Sequence, residues 1–512
     1  MEKTATRLSL YSLTSKDAED EKKIEAFWQG ILREYLPENQ LEEPRLAPLA
    51  TAVQHVMDLG CKSVVVQTGV QDPDYTAEYH AYHGKLFADT DRFCKRLHIF
   101  SRSFELDIDI LDAVDEATDA DYLGFITLRP VRISPVGATI LRPPKYGTHF
   151  LLSKDRFDVH LAGKTFHVEG TPFMQQDNAV GACAQASIWM ALRTLRKREG
   201  LAAHDPAQIT TSATRFLVRG RTLPNRDGLE MSQMMEAVRS AGYSPTLLSY
   251  REPSSKPSRE LLPRIKTSLY PYIESEIPVI LAMYTQELGG HAVVLIGHGW
   301  GQQQALCSPV VINRGKKVLY VRNTVDWASP FYMHNDNTGP YVPIPDTADK
   351  NNYSLDKVCY AIPLLPSDVY MTAEEAEQAS IRMICEFAGE SFLTSKTYAV
   401  RTYLQERYKF REQARESGMV STLKRHYRLK TLPRRMWVTE INLQEGYGSA
   451  SSGAAMRVGE VIIDPTGEPT QAPFLTIHFP EMLVDRNPNT REITLVPIIG
   501  DKPYSPLARE IS

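Results

Sequence analysis

Three stretches of this sequence hold residues whose types and spacing suit nucleophilic chemistry. The first is Gln175-Gln176-Asp177-Asn178-Ala179-Val180-Gly181-Ala182-Cys183-Ala184-Gln185. A loop rich in small residues delivers a cysteine to the first turn of an expected helix running from Cys183 to Arg198. At such a helix start the backbone N–H groups lack intrahelical partners and the helix dipole is positive, so a thiolate is stabilised there. The thiolate is the nucleophilic form. The same N–H groups, with a side-chain amide just upstream, suit the oxyanion that forms when an acyl carbon becomes tetrahedral. Gln176 is the natural amide donor and Gln175 the alternative. Gly181 and Ala182 leave room for a substrate backbone.

The second stretch is Gly289-Gly290-His291-Ala292-Val293-Val294-Leu295-Ile296-Gly297, a histidine at the start of a buried-looking strand. It would serve as the base for Cys183, with the two glycines leaving space beside the ring. The third is Phe331-Tyr332-Met333-His334-Asn335-Asp336-Asn337-Thr338-Gly339-Pro340-Tyr341, a strand ending in a polar cluster before a Gly-Pro turn. A third group must orient the imidazole and fix its tautomer. Asp336 is the first choice for that role and Asn335 the second. A lone cysteine at a helix start is commonly just a small buried residue. The upstream glutamines and the Gly-Gly-His strand tip the balance toward chemistry.

Together these motifs resemble the papain-like cysteine peptidase superfamily, in particular the bacterial branch that includes bacteriocin-leader-processing peptidases. The resemblance covers residues 165 to 345. It implies a helix bearing the cysteine packed on an antiparallel sheet bearing the histidine and its orienting residue. By motif position it makes Cys183 the nucleophile, His291 the base, Asp336 the orienter and Gln176 the oxyanion donor. The long stretch between His291 and Asp336 requires a hairpin insertion at Leu306–Asp326.

The elements around these motifs divide the 512-residue chain into three expected regions. Residues 1–150 read as an N-terminal α+β accessory domain, 151–365 as the peptidase domain, and 366–512 as an accessory domain that is helical and then β. The fold class is therefore α+β. Helices are expected over Asp17–Tyr35 and Leu49–Leu59, with strands at Ser63–Gln67, Leu97–Phe100 and Tyr122–Val131. A hairpin turning at Gly163 opens the middle region. Further strands are expected at Pro278–Met283, His291–Gly297, Val310–Asn313 and Val318–Val321. In the last region Thr372-Ala373-Glu374-Glu375 is a capping-box pattern, Lys396–Ser417 reads as one long helix, and strands follow at Met436–Ile441, Arg457–Asp464 and Phe474–Phe479. The outer regions are expected to supply substrate recognition or a lid. Removing residues 1–150 should then leave Cys183 reactive toward small electrophiles.

Bulk properties exclude several function classes. Hydrophobic residues are 42% and charged residues 23%, as in a globular protein. The formal net charge of −4 carries no footprint for nucleic acid or an anionic membrane. No segment approaches the roughly 18 apolar residues that cross a bilayer, and the N-terminus has no apolar core of signal-peptide length. The six cysteines are scattered, which argues against a disulfide scaffold or structural zinc and for a reducing, cytoplasmic setting. No cofactor is called for. Ala162-Gly163-Lys164-Thr165 lacks the first glycine of a phosphate loop, and Asp336-Asn337-Thr338-Gly339 lacks the length and closing glutamate of a calcium loop. His80 and His83, set among Tyr75, Tyr79 and Tyr82, read as a solvated aromatic helix face rather than a metal site.

The expected activity is hydrolysis of a peptide or isopeptide bond in a protein or peptide substrate, held in check by a regulatory protein partner or an occluding segment. Transglutaminase- or deamidase-like acyl transfer would use the same three groups. A catalytically silent papain-like scaffold is the remaining alternative.

Overall fold

A computed structural model describes residues 7–504 apart from 14–17, 35–45, 88–89, 106–107, 132, 145–149, 178–182, 217–227, 286–288, 302–303, 305, 307, 315–316, 351, 388–396, 446, 448–455, 468–472 and 488. The architecture is mixed α+β. The first part runs β1 (Arg7–Ser12), α1 (Ala18–Arg33), α2 (Ala47–Asp58), β2 (Ser63–Val70), α3 (Pro73–Ala81), β3 (Cys94–Phe100), α4 (Ile110–Glu116), β4 (Tyr122–Leu128) and β5 (Val136–Leu141). Its five strands form one antiparallel sheet in sequence order. β4 and β5 are buried along their whole length, which is why they read as unbroken apolar runs rather than alternating ones. α3 opens on Asp72, whose carboxylate accepts the Tyr75 N–H, with Pro73 in the first helical position.

β6 (Phe150–Leu152) leads into the hairpin β7 (Asp155–Leu161) and β8 (Lys164–Gly170), whose turn residues Ala162 and Gly163 both take positive φ. That pair of left-handed residues matches the strands' right-handed twist. The middle part then runs α5 (Cys183–Arg198), α6 (Pro206–Ala213), α7 (Met231–Ser240), β9 (Tyr243–Pro245), β10 (Leu248–Ser249), α8 (Leu262–Glu274), β11 (Val279–Thr285), β12 (Gly289–Trp300), β13 (Val310–Arg314), β14 (Lys317–Asn323), β15 (Ala328–Asn335), β16 (Gly339–Ile344) and β17 (Val358–Pro366). The central sheet has the order β10-β17-β11-β12-β15-β16, with β6 on β12 and β9 on β17, every pair antiparallel. α5 packs on β12 and is buried without interruption from Ala184 to Leu192. A helix that is buried all round belongs inside the molecule.

The stretch between β12 and β15 is a hairpin, β13 and β14, but it leaves the central sheet. β14 instead runs parallel to β18 (Thr397–Glu406) in a second sheet. The rest of the chain runs α9 (Ala373–Phe387), β18, α10 (Arg407–Glu416), α11 (Ser421–Leu429), β19 (Arg435–Leu443), β20 (Arg457–Ile463), β21 (Phe474–Phe479), β22 (Met482–Arg486) and β23 (Ile493–Pro497), giving the order β13-β14-β18-β19-β20-β21-β22-β23. α9 is capped reciprocally: Thr372 Oγ1 accepts the Glu375 N–H and the Glu375 carboxylate accepts the Thr372 N–H. The long helix expected over Lys396–Ser417 is not there. Thr397–Glu406 is a strand and only Arg407–Glu416 is helical. Thr397, Tyr398, Val400, Thr402 and Tyr403 favour a pleated surface, and both edges of the strand are paired, with β14 and β19.

One main hydrophobic cluster threads all three parts, from Val56 and Leu97 through Trp189 and Ile280 to Trp437 and Ile477. A buried ionic chain also crosses from the central sheet into the second one. His298 on β12 meets Glu274 at 2.7 Å, Glu274 faces Arg401, Arg401 meets Glu440 at 2.9 Å, and Arg457 holds both Glu440 and Glu460. Among the described residues, no helix is long and apolar enough to cross a membrane.

Candidate active site

Cys183 is the first residue of α5, a free thiol, half-buried. Its Sγ accepts the backbone N–H of Ala292 at 3.4 Å, which seats the helix tip on β12 directly beside His291. His291 is buried, and Cys183 lies near enough to act on its pKa. Two segments more than a hundred residues apart therefore deliver a sulfur and an imidazole to one point.

The imidazole is held from its other side. Nε2 lies 3.0 Å from Asn335 Oδ1 and 3.3 Å from Asp336 Oδ1. Strand register explains this meeting: β12 pairs with β15 up to Val294 opposite His334, and the next residues along lead His291 to the turn after Asn335. Asn335 Oδ1 also accepts the Asn337 N–H at 2.9 Å, a local side-chain turn that locks the amide in place. Both candidates for the orienting role thus reach the ring. Asn335 makes the shorter contact, and Asp336, fully buried, supplies the charge. With Nε2 committed to these oxygens, Nδ1 is the nitrogen left for the sulfur.

Burial alone would pull the His291 pKa down. The Asp336 charge, the hydrogen bond and charge of Cys183, and the Asn335 oxygen outweigh it and raise the pKa to about 9. At neutral pH the ring accordingly keeps its proton. Gly290 leaves open space next to the ring: a Cβ there would meet nothing nearer than Tyr284 at 4.0 Å.

The two glutamines divide clearly. Gln175 is fully buried and bonded to β5: its N–H donates to Val136 O at 3.0 Å, and its Oε1 accepts the Val136 N–H at 3.2 Å. Gln176 is half-buried. Residues 178–182, which carry Gly181 and Ala182, lie outside the described residues.

Sequence patterns gave no hint of two further neighbours. Asn337 Nδ2 lies 3.4 Å from His291 Nδ1 and donates to Tyr353 Oη at 2.9 Å, and the Tyr353 ring tilts over the imidazole at 4.6 Å. Tyr353 comes from a separate loop, so no local motif announces it. Asn337 was visible in the motif but had no reason to be preferred. The solvated aromatic face expected around His80 and His83 is there only in part: His80 is exposed and Tyr79 half-buried, but Tyr75, Tyr82 and His83 are buried, His83 against the Asp177 carboxylate. His298 and His334 are packing residues, His298 paired with Glu274 and His334 bonded to Pro172 O, with burial pushing the His334 pKa down to about 3. Among the described residues, no group of three or more His, Cys, Asp or Glu side chains is placed to hold a metal ion.

No protein-family model matches the chain, and no curated protein matches it.

Proposed function

We propose that this protein is a papain-like cysteine peptidase that hydrolyses a peptide or isopeptide bond through a covalent acyl-enzyme. The observation that carries the reading is the convergence of Cys183 at a helix start, seated on the Ala292 N–H next to His291, with the Asn335 and Asp336 oxygens on the ring's Nε2. In the first step the Cys183 thiolate attacks the carbonyl carbon. The new oxyanion is met by N–H groups at the start of α5 and by the Gln176 amide. The C–N bond then breaks, and the leaving amine takes the proton from His291 Nδ1. In the second half, neutral His291 removes a proton from water, the hydroxide attacks the thioester, and the carboxylic acid leaves with the thiolate restored. Six scattered cysteines, five of them free among the described residues, fit action in a reducing compartment such as the cytoplasm.

The test has two stages. Iodoacetamide should alkylate Cys183 in the wild type well ahead of the other cysteines, and His291→Ala should abolish that lead. Equal labelling of all cysteines would end the enzyme reading. Profiling of newly formed protein termini in cells expressing wild type against Cys183→Ala then identifies the reaction. New termini are expected. Released ammonia or new cross-links without new termini would replace hydrolysis of the chain by deamidation or acyl transfer on the same residues.

A further inference from the structure

Gln176 stands between two buried anchors, and both belong to the first 150 residues of the chain. On one side, Gln175 is paired with Val136 of β5, and its carbonyl accepts from Arg129 Nη2 at 2.8 Å. On the other, the Asp177 carboxylate lies 2.5 Å from His83 Nε2, with both side chains almost wholly buried (4% and 0% exposed). Arg129 and Glu78 complete the group through a 3.0 Å ion pair, each 1% exposed. A buried charge pair of this kind costs desolvation and is not required for a stable core. It does fix geometry: residues 175 and 177 cannot shift along the chain without stranding a buried charge. Burial would discharge the His83 imidazole, but its bond and charge interaction with Asp177 outweigh that and hold its pKa above the ordinary value.

We infer that His83 and Asp177, backed by Arg129 and Glu78, are positioning residues that set the Gln176 amide for oxyanion binding. The first 150 residues are then part of the catalytic apparatus rather than a recognition attachment. This inference rests on the thiol-peptidase reading above. A misplacement of about 1 Å in an oxyanion donor costs roughly 100-fold in rate, so the effect is open to measurement.

The full-length protein is assayed with two small probes. p-Nitrophenyl acetate acylates Cys183 through a tetrahedral oxyanion: the S–C bond forms, the C–O bond breaks and p-nitrophenolate leaves. Iodoacetamide alkylates the same sulfur by displacing iodide, with no oxyanion. His83→Gln should slow the p-nitrophenolate burst by about 10- to 100-fold, and leave alkylation of Cys183 unchanged. Gln176→Ala should show the same pattern, and the double variant should be no slower than Gln176→Ala alone. Asp177→Asn, which is isosteric, replaces His83→Gln if the latter does not fold. Equal slowing of both probes would mean general loosening and overturns the inference. So would an unchanged burst, or a double variant in which the two losses multiply. If wild-type Cys183 shows neither a burst nor preferential alkylation, the peptidase reading fails and this inference with it. A fast wild type with an unaffected His83→Gln overturns the inference alone.

Discussion

At His291 burial and charge act in opposite directions, and charge wins because Asp336 cannot escape into solvent. The ring's pKa of about 9 in the folded chain stands above its unfolded value of 6.5. A group raised in this way adds stability that is complete below about pH 6.5 and lost as the pH climbs through about 9. Asp336→Asn removes the charge and keeps the shape. NMR titration of the His291 ring should show its midpoint drop in that variant, and an unchanged midpoint would mean that Asp336 is not what holds the proton. At this scale the sequence was most legible where chemistry and local pattern coincide. Gly-Gly-His at a strand start and Cys183 at a helix start each follow from a few consecutive residues. The neighbours that complete the surroundings did not show, because Tyr353, His83 and Arg129 arrive from distant segments and carry no local mark.

The elements show the same division between local and non-local signals. The limits of α5, Cys183–Arg198, coincide with the helix expected from the sequence, since its small-residue entry loop and basic last turn are local cues. β18 was misread because the pairing on both its edges, rather than its own pattern, decides its state. One close contact between elements bears on the active site directly. Gly339, at φ +129, faces α2 so tightly that an added Cβ would sit 2.5 Å from Thr51 Cβ, and Thr51 Oγ1 donates to Thr338 O at 2.6 Å. Gly339→Ala should therefore cost about 2 kcal/mol or more in a urea titration, from left-handed strain and overpacking combined. Thr51→Ala, which only deletes a hydrogen bond, should cost about 1 kcal/mol. Arg401 offers a second check. Its removal in Arg401→Met leaves Glu274 with only its His298 contact and Glu440 with only Arg457, so stability should fall by about 3 to 5 kcal/mol. A shift below 1 kcal/mol would show that the ionic chain is not holding the sheets together.

Across the whole molecule, the pattern of helix and strand segments announced an α+β protein, and the papain-like resemblance implied a hairpin insertion before the Asp336 turn. They did not announce that the insertion pairs with the C-terminal sheet, or that the three regions share apolar contacts. The shared cluster changes one expectation. Without residues 1–150, Gln175 loses Val136, Asp177 loses His83 and the cluster loses Leu97 and Val56. The shortened chain should consequently lack a cooperative thermal transition by circular dichroism, and Cys183 should lose its preferential alkylation. A well-folded, reactive fragment would contradict that. The parallel pairing of β14 with β18 has one more consequence, for the order in which the molecule is made. A ribosome emits Lys317–Asn323 long before Thr397–Glu406, so the hairpin waits with an open edge until its partner emerges. Translation halted in between would release a chain in which that strand edge has no partner of its own to pair with.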